Sequence, residues 1–568
     1  MILGIDLGTT NSAVAIWKDG VPTLIPNALG DWLTPSVVSL DADGTVHVGA
    51  TARDRMTTDP DRTVASFKRY MGTQRRATLG RQDYAPEELS AFVLRSLKAD
   101  AEAFCGAPVS DAVITVPAYF NDRQRKATRQ AGELAGLTVR RLINEPTAAA
   151  LAFGVHSRDE HEPFLVFDLG GGTFDVSIVE MFDGIVEVRA SSGDNHLGGD
   201  DFNDCIVALA RPAIDPDGAL AAADPQLVEA RLSAAAEDVK RALSVADEAE
   251  FVLVVGQERR TSRITAQALE EQAQGLLTRL RDPVLRSLRD SDIDVKALSE
   301  VVLVGGATRM PIVRKAITRM FGRFPNSSVH PDHAVALGAA VQAGLLEKDA
   351  ALDEIRLTDV CPFTLGVNHS ERDARGHMHH GLFSPIIERN TAIPVSRVER
   401  YQTMADNQRH IEFGIYQGEA REVSSNVKLG SISIPVPPRA AGEVVVDCRF
   451  SYDSSGLLEV DVVVPETGQT RNLVIVDESD RRSEKELAER RARLSALKFH
   501  PRDGQENVAA LARARKGYEA FIGERREAIG HWITRFQSAL ETQDGRLIIE
   551  ERRLLIQNLD RIEQDYGL

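Results

Sequence analysis

Two well-separated segments follow one plan, and that repeat constrains the fold more than any other feature. Ile2-Leu3-Gly4-Ile5-Asp6-Leu7-Gly8-Thr9-Thr10 is an apolar run that ends in Asp and turns through Gly and Thr. An alternating stretch, Ser12 to Trp17, then reaches the hairpin signal Asp19-Gly20. The plan returns as Phe164 to Thr173, with Asp168 before Gly170, Gly171 and Gly172, then alternating Phe174 to Met181 and a turn at Asp183-Gly184. Two copies of strand, Asp-x-Gly loop, strand, turn and strand imply two similarly built lobes with facing loops.

Helical stretches (Asn121 to Leu137, Gln226 to Leu243) and a buried strand, Val301 to Val304, entering Gly305-Gly306, make the chain α/β to about Leu352. A short link follows, Asp353 to Val360, and the apolar period then changes to two. Ile411 to Tyr416, Gly430 to Ile434, Val444 to Phe450 and Leu457 to Val464 read as strands of an antiparallel β-sandwich. After Asp477 the pattern is helical. Ser483 and Glu486 form a capping box before Leu487, Leu494 and Leu497; His500-Pro501 interrupts, and Leu511, Tyr518, Ile522, Ile529, Ile533, Phe536 and Leu540 mark further helix, as does Leu547 to Ile562. Boundaries are expected at 1–353, 354–361, 362–478 and 479–568.

The Asp-Gly loops suit phosphate. Glycines let backbone N–H groups approach an anion, Thr donates from its side chain, and an Asp at each strand end holds Mg²⁺ through water. One such turn is weak evidence, because glycines mostly serve turns; two matched copies are strong. There is no GxxxxGK[ST]. The triple glycine leads into a strand where a dinucleotide fingerprint needs a helix.

Net charge of −17 argues against nucleic acid as a partner. Cys105, Cys205, Cys361 and Cys448 have no metal or disulfide spacing. The strand-like opening run and the lack of a long apolar stretch give a cytoplasmic, membrane-free expectation.

Several motifs carry a resemblance. Asp6 to Ser12, Val116-Pro117-Ala118-Tyr119-Phe120-Asn121-Asp122, Asn144-Glu145-Pro146-Thr147-Ala148-Ala149-Ala150, Asp168 to Asp175, His196-Leu197-Gly198-Gly199 and Val304 to Pro311 are similar to the ATPase domain of DnaK-type heat-shock chaperones. With the C-terminal regions the resemblance covers almost the whole chain, and length and the linker Asp359-Val360-Cys361-Pro362 are most similar to the compact HscC-like branch. The resemblance implies an actin-like two-lobed nucleotide-binding ATPase domain, a linker, a β-sandwich peptide-binding domain and an α-helical lid. It implies ATP and ADP as ligands, with Mg²⁺ and K⁺, unfolded or extended polypeptide as substrate and a J-domain co-chaperone as stimulator.

Residue by residue it implies Asp6, Glu145 and Asp168 around Mg²⁺ or the attacking water; Gly8, Thr9, Thr10, Asn11, Gly170, Gly171, Gly172, Thr173, Gly198 and Gly199 around the phosphates; and Lys68 near the γ-phosphate. Thr173 and Asp175 would orient water or a monovalent cation. Glu237, Lys240, Arg241 and Ser244, on one helical face by their spacing, would meet base and ribose, with Gly305, Gly306, Arg309 and Asp332 completing the pocket. Val367, Tyr401, Met404, Ile411 and Phe413 would line the peptide pocket, and Pro117, Arg125, Arg141 and Asp359 would couple the halves. Without the resemblance, a solvated surface is the better reading of Lys68, sandwich packing the better reading of the pocket set, and the Glu237 helix is evenly balanced.

Departures from the pattern matter too. Glu354-Ile355-Arg356-Leu357-Thr358 is more polar than the family's linker, which weakens its apolar docking. The segment Ser244 to Ile264 is short where relatives meet an exchange factor, so the use of such a factor stays open. An insertion, Ser370 to His380, carries His377, His379 and His380; an exposed polar loop explains it better than a metal site. Three alternatives (a small-molecule kinase of the same superfamily, an actin-like filament protein, a catalytically spent regulator) leave the sandwich and helices or the intact acidic set unexplained.

Overall fold

The computed structural model describes residues 1–154, 162–182, 185–218, 220, 224–255, 258–326, 330–349, 352, 356–372, 377–453, 456–475, 505–521 and 524–564. The Asp183-Gly184 turn, the Ser483 capping box with the helix it starts, Ile522 and linker residues 354 and 355 lie outside them. The chain divides into two units: residues 1–364 with 388–393, and 365–387 with 394–568.

The repeat is visible in the sheets of the first unit. Strand Ile2–Asp6 pairs antiparallel with Asn11–Lys18 and parallel with Asp111–Val116. Strand Phe164–Leu169 likewise pairs antiparallel with Phe174–Phe182 and parallel with Val301–Val304. Both first strands are covered on both faces, so they read as continuous apolar runs, yet alternate residues still serve opposite cores. Leu165, Phe167 and Leu169 face one core, whereas Phe164 and Val166 face another. The second core holds helices Glu145–Gly154 and Ala334–Glu347, which are built of small residues because they cross closely. A Cβ at Gly338 would stand 1.7 Å from the Ala148 carbonyl oxygen.

The linker departs from expectation. Arg356–Val360 is a strand paired parallel to Ile185–Asp194 and antiparallel to Ala392–Ile393. Its docking is carried by main-chain hydrogen bonds, which need no apolar side chains, and Val360 is buried with Leu357 packed against the same core. Arg389 adds a two-pronged contact to Asp290 (2.7 and 3.1 Å).

In the second unit, two four-stranded antiparallel sheets form the sandwich. One runs Met378–Ile387, Leu365–Arg372, His410–Gln417, Val427–Pro435; the other runs Val395–Gln402, Val445–Tyr452, Leu458–Val464, Gln469–Ile475. The described part of the inserted segment is mainly strand: Ser370–Arg372 and Met378–His380 lie in strands that pair antiparallel. His380 meets Ser370 at 2.9 Å and His369 meets Glu371 at 3.1 Å. Among the described residues no group of His, Cys, Asp and Glu is arranged to hold a metal. Helices Gln505–Ala520, Glu524–Thr542 and Gly545–Gln564 share a core around Ile529, Phe536, Leu555 and Leu559. No helix among the described residues is long and apolar enough to cross a membrane.

Candidate nucleotide site

The two Asp-Gly loops face a cavity of about 680 Å³ in the first unit. Asp6 ends its strand and Asp168 stands one residue before the end of the equivalent strand, so the two arrive from opposite lobes. Between them Lys68 donates to Glu145 at 2.6 Å, and Lys68 is only 2% exposed. A buried lysine needs such a partner, so the surface reading of Lys68 does not hold. The ammonium also lies over the Phe120 ring, 5.6 Å from its centre.

The acids outnumber this one lysine, and their protonation reflects it. Burial raises Asp6 to about 7, helped by repulsion from Glu145, although Lys68 and the Thr115 hydroxyl favour its charged form. Burial and then Glu145, Asp175 and Asp6 push Asp168 well above the carboxylate range. A set of this kind is short of positive charge. The buried Thr10 hydroxyl has no partner among the described residues, and Thr10 lines the same cavity. A Cβ at Gly171 would stand 1.7 Å from the Thr10 hydroxyl, and one at Gly198 2.5 Å from Gly171 backbone, so the two loops close on each other only through glycine. Carboxylates, an unpartnered hydroxyl and a glycine cradle fit a hydrated divalent cation with phosphate.

At the other end, Glu237 accepts from Lys240 at 2.6 Å and Arg241 at 2.8 Å. Burial works against its charge, but these cations and Asn203 hold it down at about 2. Lys240 also donates to the Gly199 carbonyl, tying this helix to the phosphate end. Arg309 pairs with Asp332. Gly305 sits at φ +82, where a side chain would meet the Leu169 carbonyl at 2.3 Å.

The structure brings to this wall all the residues expected around phosphate, base and cation except Gly172, Gly198 and Asp175. Gly172 packs against Arg69 and Thr9, and Gly198 under Gly171, so both shape the loop rather than face the cavity. Asp175 stands behind it, accepting from the Tyr119 N–H at 3.3 Å, and burial with Glu145 raises it to about 8. Leu33, Val245, Met310, Arg314 and Val335 also line the cavity and were not anticipated. Four apolar residues and one arginine from separate elements carry no local signature.

The coupling set converges as well. Arg125 donates to the Ala118 and Phe120 carbonyls beside Pro117 and to Asn144 at 2.7 Å; Asn144 donates to Asp359 at 3.1 Å. Burial raises Asp359, while the Val360 backbone N–H that donates to it, Arg141 and Arg125 oppose that. Asn144 was missed as a bridge, although it adjoins Glu145 in a motif already singled out. Of the expected peptide set, Val367 and Phe413 are buried, Tyr401 and Ile411 are half-buried, and Met404 is 39% exposed. Tyr401 stacks edge-on against Phe413 (5.2 Å between centres) and its hydroxyl meets Ser384, the residue opposite Val367.

A family model described as Hsp70 protein matches residues 2–552. Chaperone protein DnaK of Thermotoga neapolitana is 42% identical over 485 residues, 84% of this chain and 80% of its own length. The protein of the same name from Thermotoga maritima matches at 42% over the same shares. A family match over nearly the whole chain, with the acidic cleft and its glycine cradle intact, has one reading: the chain belongs to the Hsp70 family of ATPases.

Proposed function

We propose that this protein is an ATP-dependent chaperone in which nucleotide state governs the grip on extended, unfolded polypeptide. The observation that carries the reading is the bridge from Asp359 in the linker strand to Asn144, whose neighbour Glu145 binds Lys68 in the cleft. A change of charge at the cleft thereby reaches the linker through two adjacent residues.

In this reading residues 1–353 are the nucleotide-binding domain, 354–361 the linker, 362–478 the peptide-binding sandwich and 479–568 the lid. Asp6, Glu145 and Asp168 would hold Mg²⁺, and Thr173, with Asp175 behind the wall, would favour K⁺ or an ordered water. Bound Mg²⁺ supplies charge neutralisation to the phosphates. Lys68 adds a fixed positive charge beside the transferring group, and Glu145 and the Thr173 hydroxyl orient the attacking water. Glu237, Lys240, Arg241 and Ser244 hold the nucleoside, with Arg309 alongside the base.

Val367, Tyr401, Met404, Ile411 and Phe413 form the peptide pocket, with the flexible Met404 thioether suited to varied sequences. A J-domain co-chaperone raises hydrolysis, and the site of action is the cytoplasm. The polar linker and the His-bearing hairpin support one chosen client over many, a point that similar affinities across unrelated unfolded peptides would overturn.

The deciding experiment is ATP turnover with and without a short extended apolar peptide, repeated with a J-domain protein and with Thr173→Ala. Slow turnover, raised by peptide and lost in the variant, supports the reading. Turnover indifferent to peptide and to the J-domain protein removes the coupling from it.

A further inference from the structure

Among the described residues, strand Val395–Gln402 is the edge of its sheet and pairs with Val445–Tyr452 on one side. In an antiparallel pair, alternate residues turn both backbone groups outward. Val398 is such a residue, and its outward groups are taken by one side chain. The Gln543 Oε1 accepts from the Val398 N–H at 3.3 Å, and the Gln543 Nε2 donates to the Val398 carbonyl at 3.0 Å.

Gln543 lies in the turn between helices Glu524–Thr542 and Gly545–Gln564, is 6% exposed and has φ +55. Glycine or asparagine is the ordinary choice for that backbone, so backbone preference does not account for the glutamine, whereas its side-chain contacts do. Beside it, Asp544 offers negative charge to Arg397, which is otherwise disfavoured by burial. By the same alternation Arg400 and Gln402 also turn their backbone groups outward on this edge, next to Tyr401.

We propose that Gln543 acts as a one-residue strand that latches the helical bundle onto this edge and closes one end of the track along which an extended peptide would pair. An amide side chain reproduces one donor and one acceptor of a peptide group, the pairing unit of strand addition. Because the latch and the track share a strand, the bundle's hold and the peptide's hold are linked. The consequence for peptide rests on the peptide-binding reading above, whereas the latch itself does not.

The test uses the full chain with ADP and compares the parent with Gln543→Gly, which suits φ +55 and removes the amide, and with Gln543→Asn, one methylene too short. Hydrogen exchange at Val398 reads the latch, and release of a labelled extended apolar peptide reads its effect. The expected result in both variants is roughly tenfold faster exchange at Val398, as loss of a hydrogen bond gives, with helices 524–542 and 545–564 still protected and peptide leaving several-fold faster. Unchanged exchange at Val398 overturns the latch. Faster exchange with unchanged peptide release overturns the link to the track. If the parent binds no peptide, the peptide-binding reading fails on its own, and Val398 exchange still decides the latch.

Discussion

The side-chain amide of Asn144 donates to the Asp359 carboxylate at 3.1 Å, and the next residue, Glu145, accepts from Lys68 at 2.6 Å. Linker and cleft are thus joined by consecutive residues at the end of one strand and the start of one helix. Asn144→Ala removes the bridge without touching the cavity wall. Basal turnover should stay close to the parent, while stimulation by peptide falls by at least about fivefold, the lower range for a coupling free energy. An unchanged ratio of stimulated to basal turnover would place the coupling elsewhere.

Lys68→Ala should cost both catalysis and stability. It removes the one buried cation beside Glu145 and leaves that carboxylate without it. Loss of a preorganised charge lowers turnover by about 100-fold or more, and an uncompensated buried charge costs about 3–5 kcal/mol. Single-turnover hydrolysis and thermal unfolding of the nucleotide-free chain separate the two effects.

Stability of the nucleotide-free chain should depend on pH with a definite sign. Asp175 rises from 3.8 to about 8 on folding, and Asp6 from 3.8 to about 7. A raised pKa means the folded state binds the proton more tightly. The contribution is therefore full below the unfolded value and is lost as pH rises through the folded one. Between about pH 5 and 8, Tm should fall by at least about 3 °C, the effect of ~1 kcal/mol in a large domain. Asp175→Asn should flatten this slope, and Mg²⁺ with ADP should do so in the parent. A Tm that rises with pH over this window contradicts the buried-acid account.

Gly171→Ala tests the cradle. Its Cβ would stand 1.7 Å from the Thr10 hydroxyl, so the facing loops must separate. The loops contribute little to the cores, so Tm without nucleotide should hardly move. ADP affinity should drop about tenfold or more, equal to ~1.4 kcal/mol. Calorimetric titration against the parent measures it, and unchanged affinity would mean the loops tolerate the separation.

The sequence alone determined much of this protein because its signals are local. Apolar runs ending in Asp6 and Asp168, the glycines after them and the Asp19-Gly20 turn each act within a few residues. Asp19 and Gly20 both take positive φ, as a tight hairpin requires. The period change past Val360 likewise announced the sandwich, although Leu365–Arg372, Met378–Ile387, Val395–Gln402 and Gln469–Ile475 show no clean period of two. Their apolar alternation is broken by charged or histidine residues that the fold tolerates on exposed faces.

What only the tertiary structure decided is which distant groups share one volume. Lys68 on its own reads as a surface lysine; burial against Glu145 and Phe120 exists only once the two segments meet. The polar linker reads as a weak apolar dock, yet it joins a sheet edge through backbone bonds that do not depend on side-chain polarity. Asp175 and Gly198 carry motif positions, but packing sets them behind the wall rather than on it. Gln543 has no sequence signature at all, since pairing one side-chain amide with a strand edge requires both to be in place. Local chemistry is encoded residue by residue, whereas burial, charge balance and edge pairing are properties of neighbours brought together by the fold.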